Sequence, residues 1–361
     1  MCCIIVGMLK YIFGAMSHNL AIDLGTANVL VYVEGKGIMI REPSVVARHR
    51  KSRRVLAIGD EAKAMVGKTP RTIEAFRPLR HGVISDYDAT KFMLQEYIKK
   101  VHYRPPGTWQ SYLPNVPRPK VIVAIPSGVT EVERRAVWEA CLESGAREAY
   151  LIEEPMAAAI GAGLPIEKAR GLMVIDIGGG TTEIAIISLG GIVLNSSVRI
   201  AGDEMNEAII SYVRLRHSLI IGENSAEEIK IAIGSAYPDE GKRKHHVLRG
   251  RGFERGLPKS VKLSSDHVRE ALDSVINKII RSINEIVEEI PPELVGDIME
   301  HGVVLTGGGG TLRGLDKRIC EAIRMPVWVE PDAHTAVVRG AAKLLTNPKL
   351  LEKVRVTSGL V

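Results

Sequence analysis

Aromatic side chains are scarce: Phe, Trp and Tyr together make up 4% of the 361 residues, so the core must be mostly aliphatic. Cysteine is sparser still. Cys2, Cys3, Cys141 and Cys320 have neither disulfide-framework nor zinc-site spacing, which fits a reducing cytoplasm. Cys141 and Cys320 fall inside helical patterns and are expected to be buried thiols. No G-x-x-x-x-G-K-[ST] run is present, which excludes a P-loop. The apolar opening, Met1 to Met16, is too short to span a bilayer and lacks a clear small-residue cleavage site, so no secretory signal is expected. What is present is ordinary for a folded chain: 45% hydrophobic, 25% charged, with a net charge of +6. The length is too great for one core and suits two domains.

The informative feature is a turn that occurs twice. Ala21-Ile-Asp23-Leu-Gly25-Thr26-Ala27-Asn28 and Val174-Ile-Asp176-Ile-Gly178-Gly179-Gly180-Thr181-Thr182 are both apolar strands ending in Asp, followed by a Gly/Thr turn. A second apolar strand follows each, Val29 to Val33 and Ile184 to Leu189. Glycine lets backbone approach a phosphate closely, and successive N–H groups form an anion nest. Thr and Asn add side-chain donors. Asp23 and Asp176 are candidate Mg²⁺ ligands, through water, because Mg²⁺ keeps much of its hydration shell. One such turn is compatible with a plain hairpin; two point to a duplicated domain closing on one nucleotide. A third run supports the pair. Gly302 to Thr306 reads as a buried strand, Gly307-Gly308-Gly309-Gly310 as a loop, and Thr311 to Ile323 as a helix, with Leu312, Leu315, Ile319 and Ile323 at helical spacing.

These motifs resemble those of the actin, Hsp70 and sugar-kinase ATPases, and within that superfamily the bacterial actin MreB and its paralogues. The resemblance is carried by Asp23 to Asn28, Glu42-Pro-Ser-Val-Val46, Val132-Glu-Arg-Arg-Ala136, Ile152 to Gly163, Ile233-Gly-Ser-Ala-Tyr237 and Val338-Arg-Gly-Ala-Ala342. It runs from about Met8 to about Leu345. It implies an α/β, actin-like ATPase fold of two similar, RNase H-like domains with a nucleotide cleft between them. The expected division is 17–164 with 332–348, and 165–331, with smaller subdomains near 49–81 and 204–259. The resemblance also implies ATP and Mg²⁺ as ligands. Asp23, Gly25, Thr26, Ala27, Asn28, Asp176, Gly178 to Thr182, and Gly307 to Gly310 would bind ATP. Glu227, Glu228, Ile229 and Lys230 would lie on the adenosine side. Glu154 would orient the attacking water, helped by Thr181; read from the residues alone, Glu154 is equally a favourable carboxylate at a helix start. Gly310 stands where relatives often carry Ala.

Two basic stretches, Arg48 to Arg54 and Lys242 to Arg255, read either as a solvated hairpin turn and a solvated loop or as attraction to anionic lipid. No recognition-helix, zinc-finger or RNP signature accompanies them, so no specific nucleic-acid partner is expected. Ile5, Met8, Leu9, Ile12, Phe13 and Met16 make one apolar helical face over residues 1–16. That fits an interfacial membrane helix, or a short helix docked on the body, or a disordered start. The Pro-rich stretch Tyr103 to Arg118 carries Trp109, Tyr112 and Leu113, either as a membrane tip or packed back on the domain. Thr130 with Glu133 forms a capping box, and Asp203 is expected to N-cap the following helix. The family resemblance implies an ATP-dependent filament on the inner face of the cytoplasmic membrane. Its partners would be itself, inner-membrane lipid and the membrane proteins of the elongation machinery, organising wall synthesis to set rod shape. Filaments with another cargo, a chaperone ATPase and a small-molecule kinase are the alternatives. The chain ends soon after its last helical pattern, which argues against a chaperone's peptide-binding domain. No substrate insert accompanies Glu154, which argues against the kinase.

Overall fold

The computed structural model describes residues 18–102, 118–238 and 243–357. Leu9, Ile12, Phe13, Met16, Trp109, Tyr112 and Leu113, on which the membrane expectation rests, lie outside them. Among the described residues no helix is long and apolar enough to cross a membrane. The chain divides into two units, 1–163 with 335–361, and 164–334.

In the first unit, β1 (Leu20–Leu24) and β2 (Asn28–Val33) form a hairpin continued by β3 (Gly37–Pro43). A smaller sheet of β4 (Val46–His49), β5 (Val55–Ile58) and β6 (Ile73–Phe76) carries α1 (Gly59–Met65). Next come the short hairpin β7 (Leu79–Arg80) and β8 (Val83–Ile84), then α2 (Tyr87–Val101), β9 (Lys120–Ile125), α3 (Glu131–Glu143), β10 (Glu148–Glu153) and α4 (Glu154–Gly161). The main sheet has the order β10-β9-β1-β2-β3; β1, β9 and β10 are parallel and the β1–β2–β3 meander is antiparallel. Leu20, Ile22, Val121, Val123 and Leu151 are fully buried in it, which explains their near-continuous apolar runs. The Thr130–Glu133 capping box forms as expected and opens α3.

In the second unit, β11 (Leu172–Ile177), β12 (Thr182–Ser188) and β13 (Gly191–Val198) repeat the meander. Then follow α5 (Gly202–His217), β14 (Leu219–Ile220), α6 (Glu223–Ile233), β15 (His245–Gly252), β16 (Pro258–Ser264), α7 (Ser265–Glu289) and α8 (Pro292–His301). The unit closes with β17 (Val303–Thr306), α9 (Gly307–Gly310), α10 (Leu315–Ile323) and β18 (Val327–Val329). Its main sheet, β13-β12-β11-β17-β18, has the same directions strand for strand as the first. Even the register shift recurs, between Val31 and Tyr32 in one meander and between Ile186 and Ile187 in the other. Two helices, α11 (Ala336–Leu345) and α12 (Pro348–Val354), return to the first unit.

Three local expectations need correction. The glycine run is a helical turn, not a loop, and the next helix starts at Leu315 rather than Thr311. Gly314, at φ +71°, separates the two, in the left-handed region that glycine tolerates. Asp203 is inside α5, whose N-cap is Ala201; Glu204 accepts from the Ala201 N–H at 2.8 Å. Cys141 is buried, which pushes its thiol up to about 12, but Cys320 is only half-buried.

Candidate functional site

In the first unit the hairpin turn after β1 spans Gly25 to Ala27. It is held from below: the Ser44 hydroxyl donates to the Gly25 carbonyl at 2.5 Å, and the Ser44 N–H to the Ala27 carbonyl at 3.0 Å. The Gly82 N–H donates to Thr26 Oγ1 at 3.1 Å. His81 and Gly82 both have positive φ, which gives the tight β7–β8 turn that delivers this N–H. A Cβ on Gly25 would lie 2.8 Å from the Asn28 carbonyl oxygen, so glycine is required there. The backbone N–H groups of Gly25, Thr26 and Ala27 meet no acceptor among the described residues. A nest of such donors suits a phosphate.

Asp23 is half-buried at the carboxyl end of β1, in register with Leu30 on one side and Ala124 on the other. Ala124 is in turn in register with Ile152, two residues before Glu154. The parallel strands thus bring Asp23 and Glu154 to one edge of the sheet. Glu154 is 7% exposed and opens α4, with Pro155 next to it. That helix is fixed by close packing on α11: a Cβ on Gly161 would lie 1.8 Å from the Ala336 carbonyl oxygen, and one on Gly340 1.8 Å from that of Ala157. Lys343 Nζ donates to the Ile160 carbonyl at 2.7 Å, satisfying the helix C-terminus.

In the second unit the turn after β11 is braced by α5. The Gly178 N–H donates to the Thr181 carbonyl at 2.9 Å, the Gly202 N–H to the Gly178 carbonyl at 3.3 Å, and the Asp203 N–H to the Gly179 carbonyl at 2.7 Å. The N–H groups of Gly179, Gly180 and Thr181 meet no acceptor among the described residues. The Thr182 hydroxyl donates to the Ile200 carbonyl at 2.7 Å. Asp176 is 5% exposed and lies in register between Glu183 and Thr306. The Thr306 hydroxyl donates to its Oδ1 at 2.5 Å. Burial pushes the Asp176 carboxyl up to about 6; the Thr306 hydrogen bond opposes this and the Glu183 carboxylate adds to it. The fully buried Glu183 accepts from the Ser197 hydroxyl at 2.6 Å.

Two of the four α9 glycines, Gly307 and Gly309, pack directly against Ile177 at the start of this turn. A Cβ on Gly307 would lie 2.3 Å from the Ile177 carbonyl oxygen, and one on Gly309 2.5 Å from Ile177 Cγ2. A Cβ on Gly308 would meet His334 Nδ1 at 3.2 Å, and one on Gly310 would lie 3.0 Å from Leu305 Cγ. Of the α6 residues, Lys230 donates from Nζ to the Gly202 carbonyl at 2.8 Å, beside the turn. Glu227 shares its face at helical spacing. Ile229 is fully buried in the core, and Glu228 is exposed, 3.8 Å from His246 Nε2. Ser44, Gly82, Glu183 and Thr306 were missed as site residues. Each reaches its turn from a distant or cross-strand position, and only a polar residue in an apolar strand hinted at Glu183 and Thr306.

The donor set fits Mg-nucleotide. Two Asp-ended turns offer unpaired N–H groups to phosphate, and carboxylate oxygens suit a hard cation. Among the described residues no group of three or more His, Cys, Asp or Glu forms a metal cage. Magnesium commonly takes one or two carboxylates with the substrate's phosphates.

A duplicated β-meander extended by parallel strands, with an Asp–glycine turn after the first strand of each repeat, defines an actin-like fold. The chain belongs to the MreB/Mbl protein family, whose model matches residues 17–353. It is 50% identical over 342 residues to the cell shape-determining protein MreB of Escherichia coli (strain K12), covering 94% of this chain and 96% of that one. It is 42% identical over 337 residues to the cell shape-determining protein Mbl of Bacillus subtilis (strain 168), covering 93% and 98%. Its fold matches MreB5 of Spiroplasma citri, in crystal structures bound to AMPPNP and to ADP, with a TM-score of 0.85, 37% identity and coverage of 92% and 97%.

Proposed function

We propose that this chain is an ATP hydrolase whose nucleotide state controls its assembly into filaments. In this reading the filaments lie on the inner face of the cytoplasmic membrane and organise wall synthesis to set rod shape. The observation that carries it is the pair of Asp-ended turns, each presenting unpaired backbone N–H groups. Membership of a cell shape-determining family, and relatives that bind AMPPNP and ADP, support it.

Phosphoryl transfer to water asks the protein mainly for positioning and charge stabilisation. The N–H groups of Gly25 to Ala27 and Gly179 to Thr181 would hold the phosphates, with Asn28 and Thr182 beside them. Asp23 and Asp176 would hold Mg²⁺ through water, and the ion would supply charge neutralisation at the β- and γ-phosphates. Glu154 would orient the attacking water from the rigid start of α4, with Thr181 assisting. Lys230 and Glu227 would meet the adenosine. Contacts to the γ-phosphate at these turns would bias a two-state switch that filament contacts read. Residues 1–16 and the loop around Trp109 would supply lipid contact.

Electron microscopy of the purified chain with Mg-ATP, with and without anionic liposomes, tests this. Filaments lying on lipid are expected. Filaments that ignore lipid would redirect the reading to another cargo or an adaptor. No filaments under any nucleotide would overturn it.

A further inference from the structure

We propose that Arg355 to Thr357, the residues after α12, form a strap on the open edge of β10 that positions Glu154. The proposal deepens the ATPase reading and rests on it. β10 is the outermost strand of the first main sheet, and among the described residues no strand lies on its other side. Such an edge leaves backbone N–H and C=O groups without ladder partners. Ala149 and Leu151, two residues apart, turn their carbonyls to this side, and each is closed from outside the sheet. The Trp138 indole N–H donates to the Ala149 carbonyl at 3.1 Å, and the Val356 N–H donates to the Leu151 carbonyl at 2.9 Å. Val356 also packs against the first unit's core, to which Leu151 belongs. The Arg355 guanidinium lies 5.7 Å from the centre of the Tyr150 ring, within cation–π reach. Consecutive residues of the strap thus meet consecutive residues of the strand.

The strap ends a braced arm. α11 is locked along α4 by the close approaches at Gly161 and Gly340. Asn347 caps α12, accepting from the Leu350 N–H at 3.1 Å. The Arg355 N–H closes that helix on the Leu351 carbonyl at 2.9 Å, and its guanidinium pairs with Glu352 at 2.7 Å. The arm therefore holds Glu154 from two directions. α11 grips the helix that Glu154 opens, and the strap grips the strand that ends at Glu153. Leu151 is only three residues before Glu154, so a shift of β10 is passed on to the carboxylate. A displacement of about 1 Å at a group that orients the attacking water can cost about 10²-fold in rate. Arg355 to Thr357 follow the stretch, 17–353, that the family model matches, so the strap is an addition to the family pattern.

Val356→Pro tests it, because proline has no N–H to give to Leu151. Arg355, just before it, is already extended (φ −66°, ψ 146°), the conformation that a following proline demands. Hydrogen exchange of the β10 amides should speed up about tenfold. Single-turnover hydrolysis should slow about tenfold, while affinity for AMPPNP stays within about twofold. Val356→Ile keeps the N–H and the packing and should behave as wild type. In a Glu154→Gln background Val356→Pro should slow hydrolysis no further, because the strap acts through Glu154. Val356→Ala keeps the N–H, loses core contact and should show the same split at smaller size. Where the proline chain fails to fold, the alanine chain carries the test, and a wild-type rate in it overturns the strap. A folded Val356→Pro chain that hydrolyses ATP at the wild-type rate, loses rate and affinity together, or slows the Glu154→Gln chain by as much again would overturn the strap and leave the role of Glu154 standing. A Glu154→Gln chain as fast as wild type would defeat the reading of Glu154, and the strap with it.

Discussion

Replacing Asp176 with Asn should make the nucleotide-free protein more stable while weakening its hold on Mg-nucleotide. The carboxyl is pushed from an ordinary value of 3.8 to about 6, chiefly by burial. A tenfold change in the ionisation equilibrium is worth about 1.4 kcal/mol, so ionised Asp176 costs the folded state on the order of 3 kcal/mol. The sign follows from proton counts. Between the two values the folded chain holds a proton that the unfolded chain has lost. Stability from this group is therefore complete below 3.8 and is lost as pH rises through about 6. Asn keeps the shape and the acceptor for Thr306 but never ionises. The variant should gain up to about 3 kcal/mol at pH 7.5, and about a third of that at pH 4.5. Two units make a single global melt hard to interpret, so native-state hydrogen exchange at the β11 and β17 amides is the assay. No gain at pH 7.5, or an equal gain at both pH values, would refute the reasoning. The same ionisation predicts that wild-type affinity for Mg-nucleotide falls about tenfold from pH 7 to pH 5, because only the carboxylate serves the cation.

Glu154→Ala should retain ATP binding and slow phosphate release by about 10²-fold or more; release at the wild-type rate would remove Glu154 from catalysis. Gly340→Ala forces α11 away from α4, because its Cβ would sit 1.8 Å from the Ala157 carbonyl oxygen. It should cost about 1–3 kcal/mol in the first unit and slow hydrolysis as well, and unchanged native-state hydrogen exchange at the α4 and α11 amides would contradict that packing. Deleting residues 1–16 should reduce sedimentation with anionic liposomes; undiminished binding would move lipid contact to the Trp109 loop or elsewhere.

What could be read from the sequence was what steric necessity writes into it. The turn glycines show because nothing larger fits: a Cβ on Gly25, Gly307 or Gly309 would run into backbone or into Ile177. The buried strands show because parallel pairing makes them apolar on both faces. Partners from elsewhere in the chain did not show. Arg48 looked like part of a solvated basic hairpin, yet it is nearly buried over the Phe76 ring. It bonds Glu74 at 2.6 Å and Asp86 at 2.5 Å, residues far along the sequence. Asp203 had the side chain of an N-cap, but its N–H is claimed by Gly179 and the helix begins earlier. Leu312 to Ile323 kept helical spacing across Gly314, whose positive φ leaves no mark on the pattern of apolar residues.

The same limit applies to the two Asp-ended turns, which look alike as sequence and differ as chemistry. Asp23 stands between Leu30 and Ala124, while Asp176 stands between Glu183 and Thr306. Neither pair of neighbours belongs to the motif; both are supplied by adjacent strands. Burial and a second carboxylate push the Asp176 carboxyl up to about 6, so its charge changes close to neutral pH and the carboxylate gains when a cation arrives. The Asp176 turn should therefore make the affinity for Mg-nucleotide depend on pH. Comparing Asp23→Asn with Asp176→Asn would show it: the pH slope of affinity between 5 and 7 should survive in the first variant and flatten in the second. A slope that flattens equally in both would mean that the neighbours, different as they are, do not set the chemistry of the turns.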